Sequence, residues 1–416
     1  MKITILTYGS RGDVQPFIPL SLGLMARGHS VKLVAPVRFQ TLVEQYGIPF
    51  VPVAGDPAEL SRHLNDSGNN VIKTVRGLLS HAVEIGADVL RQTEDACKDA
   101  ELIIHTFMHA VGAHTLAREK NIPDIHIQLF PMFTPTGDYP NVSLPNLKIR
   151  SINRWTHKLS HHIAFWTSQF GYEQVRRRLR LPRRKLYSPF GRNSHRPPTP
   201  ILCAWSPSVI PPSSDWSRNV HVTGYLFGEF DDGYQPSAQL KDFLDAGDLP
   251  ICISFGSMLN RDEGKIHSIV RKSLKKTNNR GIILSGWSDI KDASSNEILY
   301  LDAVPHQWLL PRCKMIIHHG GAGTTSAGLR AGIPNIVIPY TADQPFWGNR
   351  VHALGAGPKP IAVKRLSVEN LSQSIVESEK DVIRRQAGSV GQELRREEGI
   401  ATSIKLIEKY TYDFLE

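Results

Sequence analysis

The sequence predicts an α/β protein of two successive domains, each a parallel sheet wrapped by helices. Three observations carry this expectation. Short apolar strands, turns and amphipathic helices alternate from the second residue onward, a proline-rich stretch interrupts them, and the alternation then resumes. At 416 residues the chain exceeds one ordinary domain, and 41% hydrophobic with 21% charged residues is enough to build a core in each half.

The elements follow in order. Lys2 to Tyr8 is rich in Ile, Leu and Thr and has the length of a buried parallel strand. The turn Gly9-Ser10-Arg11-Gly12-Asp13 leads to Phe17, Ile18, Leu20, Leu22, Leu24 and Met25, the apolar face of a helix closed at Gly28. Val31 to Ala35 is the next strand, which completes a βαβ crossover. Leu102–His105 and Ile125–Leu129 read as strands flanking a helix near Ala110–Lys120. Pro131 to Asn153 reads as loop, Trp155 to Leu179 as helix, and the prolines between 197 and 212 as a stiff connection. Ile251–Phe255, Gly281–Leu284, Met315–Ile317 and Asn335–Ile338 are the strands of the second set. The expected boundaries are 1–205 for the first domain, 206–222 for the linker and 223–398 for the second domain, with 399–416 a helix that returns to the first.

Composition narrows the function. No apolar run approaches the roughly 20 residues of a membrane span, the longest being strand-sized. The chain opens directly on a strand without a charged leader, so a cytosolic location is expected. Cys97, Cys203, Cys252 and Cys313 lie too far apart for a zinc site or a disulfide framework and read as buried thiols. A net charge of +10 attracts anions. No nucleic-acid-binding motif is present, which leaves anionic lipid or a phosphorylated substrate.

The strongest local signal is His318-His319-Gly320-Gly321-Ala322-Gly323-Thr324-Thr325, after a strand and before the helix Ser326–Ala331. Glycines let backbone N–H groups approach a ligand, and a helix N-terminus offers unpaired donors and partial positive charge, so a diphosphate suits this turn. His319 and Thr324 add side-chain donors. Asp343-Gln344 follow the next strand, and a carboxylate beside a carboxamide suits several sugar hydroxyls. Each motif also has a plain structural reading: a packing turn for the glycines, a capped surface turn for Asp343.

Together with Phe255-Gly256-Ser257 and Gly9 to Pro16, these motifs resemble family 1 glycosyltransferases of the GT-B fold, in which two Rossmann-like domains face each other across a cleft. Within that family the sequence is most similar to the sterol 3-beta-glucosyltransferases and the bacterial antibiotic or lipid glycosyltransferases. The resemblance spans nearly the whole chain. It implies that Ser257, His319, Gly321, Gly323 and Thr324 hold the diphosphate, and that Val304 (through its backbone) and Gln307 hold the base and ribose. By the same resemblance Trp287 flanks the base, Asp343 and Gln344 read the sugar, and Ser10 and Arg11 face the phosphates. The plant members' catalytic His on the first loop is replaced here by Asp13, as in the sterol and glycopeptide branch. An ionised carboxylate can take the acceptor hydroxyl's proton, giving one displacement with inversion. Asp13 could equally cap the helix near Pro16.

The expected partners are therefore a nucleotide-sugar donor, uridine- or thymidine-linked and carrying glucose, and an apolar acceptor such as a sterol, triterpenoid, polyketide or lipid. No Asp-x-Asp triplet occurs, so neither a metal nor another cofactor is required. Phe107, Met108, Phe130, Met132 and Phe133 cluster near strand ends and read as acceptor lining or as ordinary core. His105 and His109 stand beside them, with packing the better reading for His109. The basic run Arg176-Arg177-Arg178, Arg180, Arg183-Arg184-Lys185, Arg192 and Arg196 reads as a solvated face or as a contact with an anionic membrane. An epimerase of the same fold, or a non-catalytic binder, remains the alternative to transfer.

Overall fold

The computed structural model of the chain describes residues 1–57, 71–142, 144, 148–190, 197–228, 233–256, 263–284 and 294–416. Ser257, Trp287, Arg192 and Arg196 lie outside the described residues. The chain divides into two compact units, Met1–Glu229 with Glu398–Glu416, and Phe230–Glu397.

The first unit holds strands β1 (Lys2–Leu6), β2 (Ser30–Pro36), β3 (Phe50–Val53), β4 (Leu102–His105), β5 (Asp124–Gln128), β6 (Ile201–Cys203) and β7 (Val220–Val222). They form one sheet in the order β3-β2-β1-β4-β5-β6-β7, every pair parallel. β1, β4 and β5 are buried on both faces, as the apolar runs require, because helices cover both sides. The first long helix, Phe17–Ala26, ends where Gly28 takes φ +83°, and the helix Ala110–Lys120 ends on Asn121 at φ 53°. The segment 206–222, expected as a linker, belongs instead to this unit. Its last three residues are the edge strand β7, too short for periodicity to reveal, and they pair with β6.

The helix Gly399–Leu415 packs on the helix Phe17–Ala26 of the same unit. A Cβ at Gly23 would lie 2.6 Å from Ile404 Cδ1. Glu408 receives Arg27 Nη2 at 3.0 Å and His29 Nε2 at 3.1 Å.

The second unit is a five-stranded parallel sheet. Its strands are β8 (Ile251–Ser254), β9 (Gly281–Leu284), β10 (Ile298–Leu301), β11 (Met315–His318) and β12 (Asn335–Val337), in the order β10-β9-β8-β11-β12. Ile253, Ile283, Ile317 and Ile336 meet on one face of it as a core with Leu371 and Ile375. The helix after β11 spans Ala322–Ala331, starting four residues earlier than the sequence suggested. The cause is local: Gly321 caps the helix in extended conformation, and its carbonyl already accepts the Thr325 N–H at 2.9 Å.

Strand order decides where ligands can bind. In each sheet the chain leaves the first strand in one direction and later returns to its other side, between β1 and β4 and between β8 and β11. Loops at such switch points diverge and leave a crevice beyond the carboxyl ends of the strands. The loops there are Thr7–Asp13 with Thr106–His109 in the first unit, and Phe255–Gly256 with His319–Gly321 in the second.

Candidate active site

In the first unit, Asp13 sits at the third position of a one-turn helix, Arg11–Val14. Its Oδ2 accepts the Ser10 backbone N–H at 2.7 Å and the Ser10 hydroxyl at 2.9 Å. Thr7 Oγ1 donates to the Asp13 carbonyl at 2.7 Å, which ties the turn to the end of β1. Asp13 therefore folds back onto Ser10 and does not cap the next helix, which begins at Phe17 without a side-chain cap. Burial pushes its carboxyl above the ordinary carboxylate range, and the two bonds from Ser10 oppose that rise. Ser10 thus acts on Asp13, while the Arg11 side chain is exposed and bonds Gln15 at 2.9 Å.

Gly9 makes this geometry possible. It holds φ +145°, and a Cβ there would stand 2.3 Å from Asp13 Oδ2. Gly9→Ala is expected to cost about 1–3 kcal/mol of stability through backbone strain, and to displace the carboxylate. Thermal unfolding checks the first effect; loss of turnover beyond what stability explains checks the second.

In the second unit the two neighbouring histidines have separate tasks. His318 is wholly buried: its Nδ1 accepts the Gly320 N–H at 3.1 Å, so its Nε2 donates to Asn335 Oδ1, also at 3.1 Å. Burial holds it neutral, with a pKa of about 3. His318 therefore fastens the turn from within. His319 lies at the rim, its ring packed so closely that a Cβ at Gly256 or Gly321 would stand 3.1 Å from Cε1 or 2.5 Å from Nε2. Its pKa falls to about 4, through burial first, with the Ser254 carbonyl opposing and His306 assisting. Its Nδ1 is buried and lacks a well-aligned hydrogen bond. A neutral, clamped imidazole stands beside the open N-terminus of the helix Ala322–Ala331, whose first turn carries Gly323 and Thr324. That arrangement is built to donate hydrogen bonds to an anion.

Asp343 and Gln344 open the helix Gln344–Ala353. Asp343 Oδ2 accepts the Trp347 indole N–H at 2.8 Å. The Gln344 Oε1 turns inward and accepts the backbone N–H groups of Tyr340 at 2.8 Å and Thr341 at 3.2 Å. Gln344 is buried, so its carboxamide oxygen shapes the loop that carries Asp343. Val304 has its side chain in the core, and Gln307 is exposed on the short helix His306–Leu309.

Phe107 and Met108 follow β4, and Phe130, Met132 and Phe133 follow β5, its neighbour in the sheet. Met108 is exposed, and Phe107, Phe130 and Met132 are half-buried. Phe133 is different: it is buried, stacked on Phe190 at 4.5 Å and tilted against Phe107 at 5.2 Å. It supports Phe107 from behind.

Sequence reasoning missed a network beneath them. Asp124 Oδ2 accepts His105 Nε2 at 3.0 Å, His114 Nδ1 at 2.9 Å and Thr199 Oγ1 at 3.3 Å. His105 then accepts His126 Nδ1 at 3.2 Å through its own Nδ1. The only sequence signal was a His or Asp set into otherwise apolar strands. His105 is buried within this network, and His109 is buried beside it. Of the basic run, Arg184 is bound inward to Glu94, Glu119 and the Tyr172 hydroxyl, whereas Arg177 and Arg178 are exposed.

Comparison with known proteins agrees with this arrangement. Residues 3–124 match the glycosyltransferase family 28 N-terminal domain, and residues 288–401 match the erythromycin biosynthesis protein CIII-like C-terminal domain. Two sterol 3-beta-glucosyltransferases of Arabidopsis thaliana are 32% and 33% identical over 99% of this chain, which spans 66% and 68% of their lengths. One from Aspergillus terreus is 34% identical over 98% of this chain, which spans 30% of that protein. Among solved structures, the glycosyltransferase of kitacinnamycin shares the fold with a TM-score of 0.69 at 18% identity, over 98% of each chain. A Streptomyces glycosyltransferase, SsfS6, complexed with thymidine diphosphate, has a TM-score of 0.61 at 18% identity, over 98% of this chain and 99% of that one.

Proposed function

Given that this chain belongs to the glycosyltransferase family that includes the sterol 3-beta-glucosyltransferases, we propose that it moves a hexosyl group, glucose in the leading case, from a nucleoside-diphosphate sugar to the hydroxyl of a sterol or similar apolar acceptor. The observation that carries the reading is the β11 turn, where neutral His319 is clamped by Gly256 and Gly321 beside an open helix N-terminus. Such a site suits a diphosphate, whose charge the backbone N–H groups, His319 and Thr324 would offset without a metal. Val304 and Gln307 would hold the nucleoside, and Asp343 the sugar, on the loop that Gln344 shapes. Uridine is the leading reading of the nucleoside, and thymidine is the second because a neighbour of the same fold carries its diphosphate.

On the first unit, Asp13 would take the acceptor hydroxyl's proton as the oxygen attacks the anomeric carbon. The nucleoside diphosphate leaves as a stabilised anion, and one displacement inverts the configuration. The half-buried Phe107, Phe130 and Met132, with the exposed Met108, would receive the apolar body of the acceptor.

The test is mass spectrometry of products from purified protein with a panel of nucleotide sugars, sterols, polyketides and lipids. A hexose-sized mass gain on an acceptor supports the proposal and names both substrates. Donor turnover without any acceptor would replace it with an epimerase. His319→Ala is expected to weaken donor binding about 10- to 100-fold, the range for a lost hydrogen bond to a charged group, measured by calorimetric titration of the nucleoside diphosphate.

A further inference from the structure

We propose that the helix Arg150–Arg178 is a docking surface for an anionic lipid bilayer. Ile152, Trp155, Leu159, Ile163, Trp166 and Phe170 recur at intervals of three and four, so they share one face of this helix. All six are exposed, Trp155 by 59%, Trp166 by 64% and Phe170 by 53%. A separate face, with Asn153, Thr156, His157, Gly171 and Val175, is the one buried against the first unit. At 1.5 Å per residue the apolar stripe is about 27 Å long, longer than a single small acceptor needs.

The surrounding charge selects the occupant. Lys158 lies along one flank of the stripe and Arg176 and Arg178 stand at its end, while Arg154 is paired with Asp215 and Arg177 with Glu173, the only acidic residue of the helix. The chain as a whole carries +10. A second copy would set this basic surface against an equally basic one. A bilayer with anionic headgroups satisfies both features, since it accepts Trp and Phe at the headgroup boundary and attracts the flanking cations. The helix would lie in the plane of the surface; among the described residues no helix is long and apolar enough to cross a membrane.

The experiment is co-sedimentation of the full chain with vesicles of phosphatidylcholine, with and without about 30% phosphatidylglycerol. Neither donor nor acceptor is added, so the result is independent of the glycosyl-transfer proposal. The wild type is expected to bind the anionic vesicles and to be released by salt. The variant Trp155→Ser, Trp166→Ser, Phe170→Ser is expected to lose at least about tenfold in partitioning, while Val382→Ser, an exposed apolar change in the second unit, leaves it unchanged. Lys158→Glu with Arg178→Glu reverses charge while leaving the apolar stripe intact and is expected to weaken binding to anionic vesicles most. It carries the test if the triple variant fails to fold. Equal sedimentation of wild type and both variants overturns the proposal. So does a wild type that ignores vesicles and self-associates through the stripe.

Discussion

Asp13→Asn is expected to reduce sugar transfer by roughly 10²- to 10⁴-fold, the usual contribution of a positioned base, while leaving donor affinity intact. The substitution is nearly isosteric, and an Asn oxygen can still accept from Ser10, so the turn should survive. Stability supplies an independent sign. The folded-state pKa of Asp13 is raised, so its favourable contribution is present at low pH and lost as pH rises through that value. Above that value the ionised carboxylate is a burden on the fold, and there the Asn variant should melt no lower than the wild type. The same shift places the acid limb of the rate profile above the ordinary carboxylate range. Ser10→Ala removes one of the bonds that favour ionisation and should move that limb further up. Wild-type turnover in Asp13→Asn would remove this residue from the mechanism and leave donor binding untouched.

Asp124→Ala should produce the largest loss of stability, about 3–5 kcal/mol, because it leaves buried donors of His105 and His114 without their carboxylate. That is a large part of the 5–15 kcal/mol typical of a whole domain, so the first unit should unfold early in denaturant. The wild type should also be acid-sensitive. His109 and His318 are buried and remain neutral down to about 4 and about 3, whereas in the unfolded chain they protonate near 6.5. His105 and His126 are lowered too, by burial first. The unfolded chain then binds more protons as pH falls below 6.5, and each such histidine removes on the order of 1–2 kcal/mol by pH 5. Asp124 acts in the same direction at lower pH. Its pKa is held below the carboxylate range by His105 and His114 against the cost of burial, so its contribution exists above that range and is lost below it. Denaturant midpoints measured from pH 7 to 4 check the prediction; a flat profile between 7 and 5 would contradict it.

Much of the fold was legible because parallel strands buried on both faces must be apolar runs. Leu102–His105 and Gly281–Leu284 were read with their observed ends, and the helix Ala110–Lys120 with both of its own. Short edge strands were not legible: β7 has three half-buried residues and no period to detect. The glycine turn announced itself, yet nothing local distinguishes His318 from His319, or tells that the Gln344 oxygen turns inward.

By itself the sequence determined the class of fold, the order of strands and helices along the chain, and the residue types available for anion and proton chemistry. These follow from hydrophobic periodicity, glycine and the titrating groups, which are local properties. Only the tertiary structure decided which loops meet. β1 lies beside β4, and β8 beside β11, through pairings between distant parts of the chain. Those pairings set the Asp13 turn next to Phe107 and clamp His319 against Gly256, because strand order comes from packing whole layers and no local pattern encodes it.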